Sequence, residues 1–332
     1  MAVQEALVKS LSMILRLNKA TLQVLLADKN GLSIGKVSRS SDMDLDPLSI
    51  NSVSAATYNF SEEIWKDLGI LKQRIAFVFF EKICLINIRI EPTILTIVHD
   101  FNASWPVNAE EIGKIIYQLK KEIDEMFNPG SNVEDAETFS SFIRNILYLF
   151  NMGNEVPEMS YLPPPGTSSP EIHDQISTIL DSVQNPIFAR LSIVAQDGLT
   201  LDGRDQMPSA GSSIASFSAS TIVAFQKLVE EATNLKAGPL LNYICISGND
   251  AQNLYATLAC PCGILDFKDD VKGREVKLQL AVVVLFPLTY GMIPVLCEIR
   301  NITRSMIELL GDEPTTQAFL SSVNNLIKIK YQ

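Results

Sequence analysis

Few residues of this chain could carry out covalent or proton-transfer chemistry. His99 and His173 are its only histidines in 332 residues, so a Ser-His-Asp or Cys-His device would have to use one of them. The one G-x-S-x-G match, GLSIG at residues 31–35, lies in a predicted turn between two strands, so we interpret it as a hairpin rather than a nucleophile motif. The sequence contains no G-x-x-x-x-G-K-[ST] phosphate loop. We therefore interpret both histidines as structural or exposed, and we predict that the chain has no catalytic residue.

Two groups of residues could bind a metal ion. Cys260 and Cys262 form Cys-Pro-Cys, but this spacing is not C-x-x-C and no second Cys or His pair lies nearby in the sequence. We interpret them as two small thiols at the end of a strand. Asp42, Asp44 and Asp46 alternate like calcium ligands, yet the glycine and closing glutamate of a calcium loop are missing. Asp44 or Asp46 is predicted to cap a helix instead, and no metal or cofactor is expected.

The elements around these residues follow one order twice: helix, two strands, helix, three strands, helix. In each copy the first two strands flank a tight turn, Asn30-Gly31 and then Asp197-Gly198, where glycine supplies a positive φ. The first copy comprises helix 2–17, strands 21–28 and 31–37, a helix ending near 68, strands 73–80, 83–90 and 93–99, and helix 107–127. The second comprises helix 170–183, strands 188–195 and 199–203, helix 209–235, strands 240–247, 252–259 and 278–286, and helix 294–310.

Three segments fall outside the repeated order. Residues 128–169 are predicted to form a linker with one short helix near 135–150 and a Pro-rich stretch. The second copy adds an insertion, 260–277, between its fourth and fifth strands, and a final helix at 314–329. The predicted domains are therefore 1–127 and 170–312, with 128–169 as the linker and 313–332 as an additional C-terminal helix.

Two strands and two helices are predicted to form an interface between the copies. Strand 73–80 is apolar on both faces, so both faces should be covered, and 241–247 is the matching strand. The central helix of the second copy is nearly free of charge over its first four turns, which is typical of a helix covered from two sides. The predicted interface residues are Ile75, Phe77, Phe79, Tyr243, Cys245 and Ser247 on the strands, and Ala55, Tyr58, Phe217 and Thr221 on the helices.

Charge and composition exclude some partners. The net charge is −11, and residues 131–332 carry −9 of it, with 13 basic and 22 acidic side chains, so a nucleic-acid partner is not expected. Five cysteines, an odd number, favour a reducing compartment, and we predict a cytoplasmic protein. Residues 278–297 are uncharged, but Pro287 and Pro294 interrupt them, which indicates a strand and a helix rather than a membrane span. Peripheral recruitment to a membrane stays open.

Two copies of this order, each with an early Asn/Asp-Gly-Leu turn, resemble the Roadblock family, the dynein light chain relatives within the Roadblock/longin group. The resemblance lies in VLLADKNGLSIGKVS with SVSAATYNFSEEIWKDLG, and in LSIVAQDGLTLDGRD with SFSASTIVAFQKLVEEA. It implies an α/β (α+β) fold of two Roadblock-like domains, each a five-stranded, mostly antiparallel sheet with helices on both faces. In that family the third strand is a sheet edge that pairs with the same strand of a partner, while the central helices pack together. Here the resemblance implies an internal pseudo-dimer and a monomeric chain.

The resemblance also implies a function. Dimeric Roadblock platforms bind small Ras-like GTPases or other Roadblock/longin proteins, or scaffold larger complexes, and some relatives stimulate GTP hydrolysis without a catalytic residue of their own. Two alternatives remain open. One is a small-molecule sensor made of two α/β meander domains, which would need a cavity lined by convergent polar groups. The other is an enzyme built around Cys260, Cys262 and His99.

Overall fold

The helices and strands follow the predicted order. The structure, a computed structural model, describes residues 2–39, 45–70, 73–100, 108–127, 134–151, 171–183, 187–207, 211–248, 254–269 and 274–329. Most of the predicted Pro-rich linker, together with Asp42 and Asp44, lies outside the described residues.

Nine elements make up residues 2–151, which we call the first half. They are α1 (Ala2–Leu17), β1 (Thr21–Asp28), β2 (Ser33–Ser38), α2 (Pro47–Asp67), β3 (Gln73–Phe80), β4 (Ile83–Ile90), β5 (Thr93–Asp100), α3 (Ala109–Phe127) and α4 (Ala136–Asn151). Residues 171–329, the second half, contain α5 (Ile172–Asp181), β6 (Arg190–Ala195), β7 (Thr200–Asp205), α6 (Ile214–Glu231), β8 (Leu240–Gly248), β9 (Leu254–Asp269), β10 (Arg274–Pro287), α7 (Met292–Leu310) and α8 (Pro314–Ile329).

All ten strands belong to one antiparallel sheet, which makes this a mixed α/β fold. Their order is β2-β1-β5-β4-β3-β8-β9-β10-β6-β7. Counted inward from either edge, each half therefore contributes its second, first, fifth, fourth and third strand. The two halves meet where β3 pairs with β8. At the centre of that pair Phe77 lies opposite Ile244, and each is the fifth residue of its strand. An approximate two-fold axis of the sheet therefore passes beside these two residues.

The sheet separates two apolar cores. One core lies beneath α1, α3 and α4 of the first half and α5, α7 and α8 of the second half, and it contains Phe77, Phe79 and Ile244. The other lies beneath α2 and α6, and it contains Val78 and Tyr243. Because side chains alternate between the faces of a strand, β3 and β8 contribute to both cores and need apolar residues on both faces.

Local interactions fix where the two central helices begin. The Asp46 side chain accepts a hydrogen bond from the Ser49 amide at 2.9 Å, and Ser213 accepts one from the Ser216 amide at 3.2 Å. Asp46 is one of the two predicted caps, and hydrogen bonds from the amide and the hydroxyl of Ser49 hold its pKa below the usual aspartate value. Satisfying amides of the first turn stabilises a helix by about 1 kcal/mol. The described part of α6 is shorter than predicted, and a 3-10 turn at Ala232–Asn234 follows it.

The extra residues 260–277 lengthen two strands of the sheet, whereas the sequence predicted a separate segment between the fourth and fifth strands. β9 continues to Asp269 and β10 starts at Arg274, so the two strands form one long hairpin. Pro261 and Gly263 suggest a break in the sequence, but the ladder absorbs them at a register shift between Leu280 and Ala281. An extra residue in one strand is accommodated by such a bulge, where proline and glycine are tolerated.

The final helix α8 is not peculiar to the second half. In the first half α4 follows α3 just as α8 follows α7, so the described elements of both halves run in the same order of nine. Both helices are also part of the packed molecule, since α4 places Phe139 and Ile143 in the same core as Phe319 and Val323 of α8. The helix predicted inside the linker is therefore packed in the core.

Residues 278–297 divide into most of β10, a short 3-10 turn and the first turns of α7. Within the described ranges, no helix combines the length and the apolarity that crossing a bilayer requires.

Candidate interaction surface

The central helices α2 and α6 pack side by side in antiparallel fashion on one face of the sheet. Near one end the Ser52 hydroxyl donates to the Glu231 carboxylate at 2.7 Å. Farther along, the ammonium group of Lys227 lies 4.9 Å from the centre of the Phe60 ring. The two helices therefore make one surface to which both halves contribute.

The outer side of this helix pair combines apolar and small residues with few charges. Leu48 is exposed at the start of α2, and Val223 is 41% exposed near the middle of α6. Lys227 and half-buried Ser52 and Phe60 complete the surface, which we call the platform. Exposed apolar side chains next to polar groups are typical of a protein-binding site.

Beneath the platform, β8 contacts the helix of the other half. The Tyr243 hydroxyl donates to the Thr57 carbonyl of α2 at 3.2 Å, and the tyrosine is fully buried. Burial raises the pKa of Tyr243 well above the usual tyrosine value, so the hydroxyl stays protonated and able to donate. This hydrogen bond connects the sheet of the second half to the central helix of the first.

The predicted strand residues lie in one strand pair but on opposite faces. Ile75, Phe77 and Phe79 face the core beneath α1, α3 and α4, whereas Tyr243 and Cys245 face the core beneath α2 and α6. Residues directly opposite each other in the ladder point to the same face, so the β3 partners of Tyr243, Cys245 and Ser247 are Val78, Ala76 and Gln73.

The predicted helix residues pack within their own halves. Ala55 and Tyr58 form a small cluster with Ile94 of β5, and the Tyr58 hydroxyl donates to the Asn87 carbonyl of β4 at 2.8 Å. In the second half Phe217 is buried with the guanidinium of Arg190 over its ring, 5.7 Å from the centre. The Thr221 hydroxyl donates to the Phe217 carbonyl at 2.8 Å.

Asn30-Gly31 and Asp197-Gly198 form the turns of the first hairpin in each half. Gly31 has φ +83° and Gly198 has φ +89°, values that favour glycine. A Cβ atom on Gly31 would lie 3.1 Å from the Asn51 carbonyl oxygen in α2, and one on Gly198 would lie 3.3 Å from a side chain of α6. Each turn therefore packs closely against the central helix of its half.

A cleft of about 290 Å³ lies in the first half between α2, the hairpin turn and the β4–β5 turn. Its walls are charged. The Arg89 guanidinium contacts the carboxylates of Glu62 at 3.4 Å and Glu91 at 2.8 Å, and it lies 5.7 Å from the centre of the Tyr58 ring. Lys29 contributes a further charge to the lining.

A larger cleft of about 540 Å³ lies in the second half, against α6 and the strands β9 and β10. Phe225, Val229, Pro261, Leu280 and Ala281 make most of its lining apolar. The sequence did not indicate this cleft, because its residues come from segments that are far apart in the chain.

The residues of the enzyme alternative are not brought together. β5, which carries His99, and β9, which carries Cys260 and Cys262, are four strand spacings apart, or about 19 Å. Cys260 also lies inside β9 rather than at a strand end as predicted. Instead, His99 lies opposite Cys84 in the β4–β5 ladder, and both are fully buried. Within the described ranges, no three His, Cys, Asp or Glu side chains converge as metal ligands.

All five cysteines are buried and free, and burial raises the pKa of the Cys84, Cys260 and Cys262 thiols well above the usual value. We expect the native protein to react with the thiol reagent DTNB at pH 8 at least about a hundredfold more slowly than an exposed cysteine, because only the thiolate is nucleophilic. The variant Leu199→Cys, at an exposed hairpin tip, supplies the fast reference. Rapid reaction of two native thiols, lost in the double variant Cys260→Ser/Cys262→Ser, would contradict this expectation.

No family model and no curated protein matches the sequence. Among solved structures, the chain is similar to gliding protein MglB from Thermus thermophilus, at 20% identity and a TM-score of 0.35 over 38% of this chain and 93% of that chain. It is also similar to Myxococcus xanthus MglB, at 22% identity and a TM-score of 0.30 over 36% of this chain and 96% of that chain. Each match covers little more than a third of this chain and nearly all of the MglB chain.

Proposed function

We propose that this chain is a non-catalytic adaptor or regulatory platform that binds a small Ras-like GTPase, or scaffolds a larger complex, through the α2–α6 platform. The observation that carries the proposal is the β3–β8 pair with α2 and α6 packed together above it. The Roadblock resemblance implies this arrangement for two partner chains. Here one chain supplies both halves.

We further propose that residues 1–127 and 170–312 are two Roadblock-like domains joined as an internal pseudo-dimer, and that the chain is a monomer. Support comes from the strand order, which repeats from either edge, and from the repeated order of nine elements. With both third strands paired inside the sheet, the edges left in the described sheet are β2 and β7. Each is only six residues long, and short edge strands limit pairing between chains.

The chemistry of the platform favours a protein partner. Val223 and Leu48 lie toward opposite ends of the helix pair, and Lys227 and Glu231 lie between their levels. A partner can therefore bury both apolar side chains and pair with the charges between them. Interfaces of this kind concentrate binding energy in a few central apolar contacts. A charge in place of either apolar side chain should therefore disrupt binding.

The test is a pulldown of small Ras-like GTPases loaded with GTP or GDP. We expect binding that depends on the nucleotide, and we expect Val223→Glu to weaken it at least about tenfold because the carboxylate would have to be desolvated. The matched control is Val8→Glu on α1, because Val8 is 40% exposed and lies on the opposite face of the sheet. The control should bind within about twofold of the unmodified protein.

Two outcomes would count against the proposal. If no member of a representative set of GTPases binds in a nucleotide-dependent way, small Ras-like GTPases are excluded as the partner. Equal binding by the Val223→Glu and unmodified proteins would remove the platform as the binding surface.

A further inference from the structure

The two clefts occupy equivalent positions in the two halves. Tyr58 and Phe225 line the first and second cleft, and they are 167 positions apart in the chain, as are Phe77 and Ile244 beside the two-fold axis. The same separation relates Glu62 to Val229. Each cleft is therefore bounded by the same part of a central helix.

Strand register extends the equivalence to the opposite wall. Phe77 pairs with Ile86 in the first half and Ile244 pairs with Leu258 in the second, so Ile86 and Leu258 are counterparts. Arg89 is three residues after Ile86, and Pro261 is three residues after Leu258. Pro261 thus stands where the first half has the charged residue that contacts both Glu62 and Glu91.

Replacing these charges with small apolar groups opens the second cleft. Val229 stands in place of Glu62 and Pro261 in place of Arg89, and the second cleft has almost twice the volume of the first. Small-molecule sites are typically clefts of about 300–1,000 Å³ with mostly apolar walls and a few polar groups. The second cleft meets this description and the charged first cleft does not.

The polar residues of the second cleft restrict the kind of ligand. Gln226 and Gln279 contribute amide groups to the lining, and Glu230 is its charged residue. Among the described residues that line it, none is Lys or Arg. An anionic group would therefore meet a carboxylate without a compensating cation, whereas a neutral or cationic group could hydrogen-bond to the amides and to Glu230.

We propose that the second-half cleft binds a small molecule with an apolar body and a neutral or positively charged hydrogen-bonding group. This ligand site is separate from the proposed GTPase interaction. It supplies the cavity that the sensor alternative requires.

Two fluorescent probes with the same aromatic frame test the proposal. N-Phenyl-1-naphthylamine is apolar and neutral, and 1-anilinonaphthalene-8-sulfonate adds one sulfonate to it. We expect saturable binding of the neutral probe at one site per chain. The sulfonate should bind at least about tenfold more weakly, because the described lining contains Glu230 but no Lys or Arg. Equal or tighter binding of the sulfonate would overturn the inferred charge preference.

Two matched variants on α6 locate the site. Val229→Glu introduces the residue that the first half has at this position, and it should weaken binding of the neutral probe at least about tenfold. Val229 is 44% exposed, so the substitution is compatible with folding. Val223→Glu is the control, since Val223 is similarly exposed on the same helix but is not part of the cleft lining, and it should bind the probe within about twofold. Equal effects of the two variants, or no saturable binding by the unmodified protein, would overturn the proposal.

Discussion

Replacing Phe77 with alanine is expected to lower the free energy of unfolding by about 3–5 kcal/mol, the usual cost of truncating a fully buried phenylalanine. Phe77 has no exposed surface and lies at the centre of the β3–β8 pair, opposite Ile244. Its ring stacks on Phe79 with the ring centres 6.4 Å apart. The cavity would open where the two halves meet, and the surrounding strands have little freedom to collapse into it.

Urea unfolding followed by circular dichroism measures this loss. Because the β3–β8 pair forms within one chain, we expect a midpoint that does not change with protein concentration in either the variant or the unmodified protein. The control Leu199→Ala removes a side chain that is 58% exposed, and it should change stability by less than about 0.5 kcal/mol. A midpoint that rises with concentration would show that the halves pair between chains.

Replacing Arg190 with methionine is expected to cost about 3 kcal/mol, because Asp205 would lose its cationic partner and two backbone carbonyls would lose a hydrogen-bond donor. Arg190 has no exposed surface. Its guanidinium donates to the Asp205 carboxylate at 3.2 Å, to the Ser212 carbonyl at 2.6 Å and to the Met207 carbonyl at 3.2 Å. These contacts connect the end of β7 to the start of α6. Methionine keeps the apolar part of the side chain, so the loss of stability reports the contribution of the guanidinium group.

Two further variants make this prediction specific. Arg190→Lys keeps the charge but lacks the planar fork, so its stability should lie between those of the methionine variant and the unmodified protein. Arg144→Met removes an arginine that is 42% exposed and pairs with Glu110 at the surface, and it should cost at most about 1 kcal/mol. Equal losses for the two methionine variants would contradict the structural role assigned to Arg190.

Periodicity and turn residues predicted the elements because these signals are local. Asn30-Gly31, Pro47 and Gly69 mark the ends of strands and helices, and each acts on the backbone within a few residues. The strand structure of residues 260–277 was missed for the same reason. Pro261 and Gly263 are local signals of a break, but a bulge opposite Leu280 and Ala281 absorbs them, and only the partner strand determines that outcome.

The surfaces depend on register between distant segments, which the sequence of one strand does not contain. Alternation identified Phe77 and Tyr243 as strand residues with apolar surroundings. Their placement on opposite faces follows from the pairing of β3 with β8, which brings Phe77 opposite Ile244. The two clefts were missed for a related reason, since each combines a helix, a hairpin turn and strands that only the folded chain brings together.

Having both halves in one chain has a genetic consequence. In an assembly of two identical chains, every substitution appears at both equivalent positions, so a charged cleft and an apolar cleft cannot coexist. Here a codon change at position 89 or 261 alters one cleft and leaves the other as it was. Arg89 beside Glu62 and Pro261 beside Val229 are therefore an asymmetry that two identical chains could not maintain.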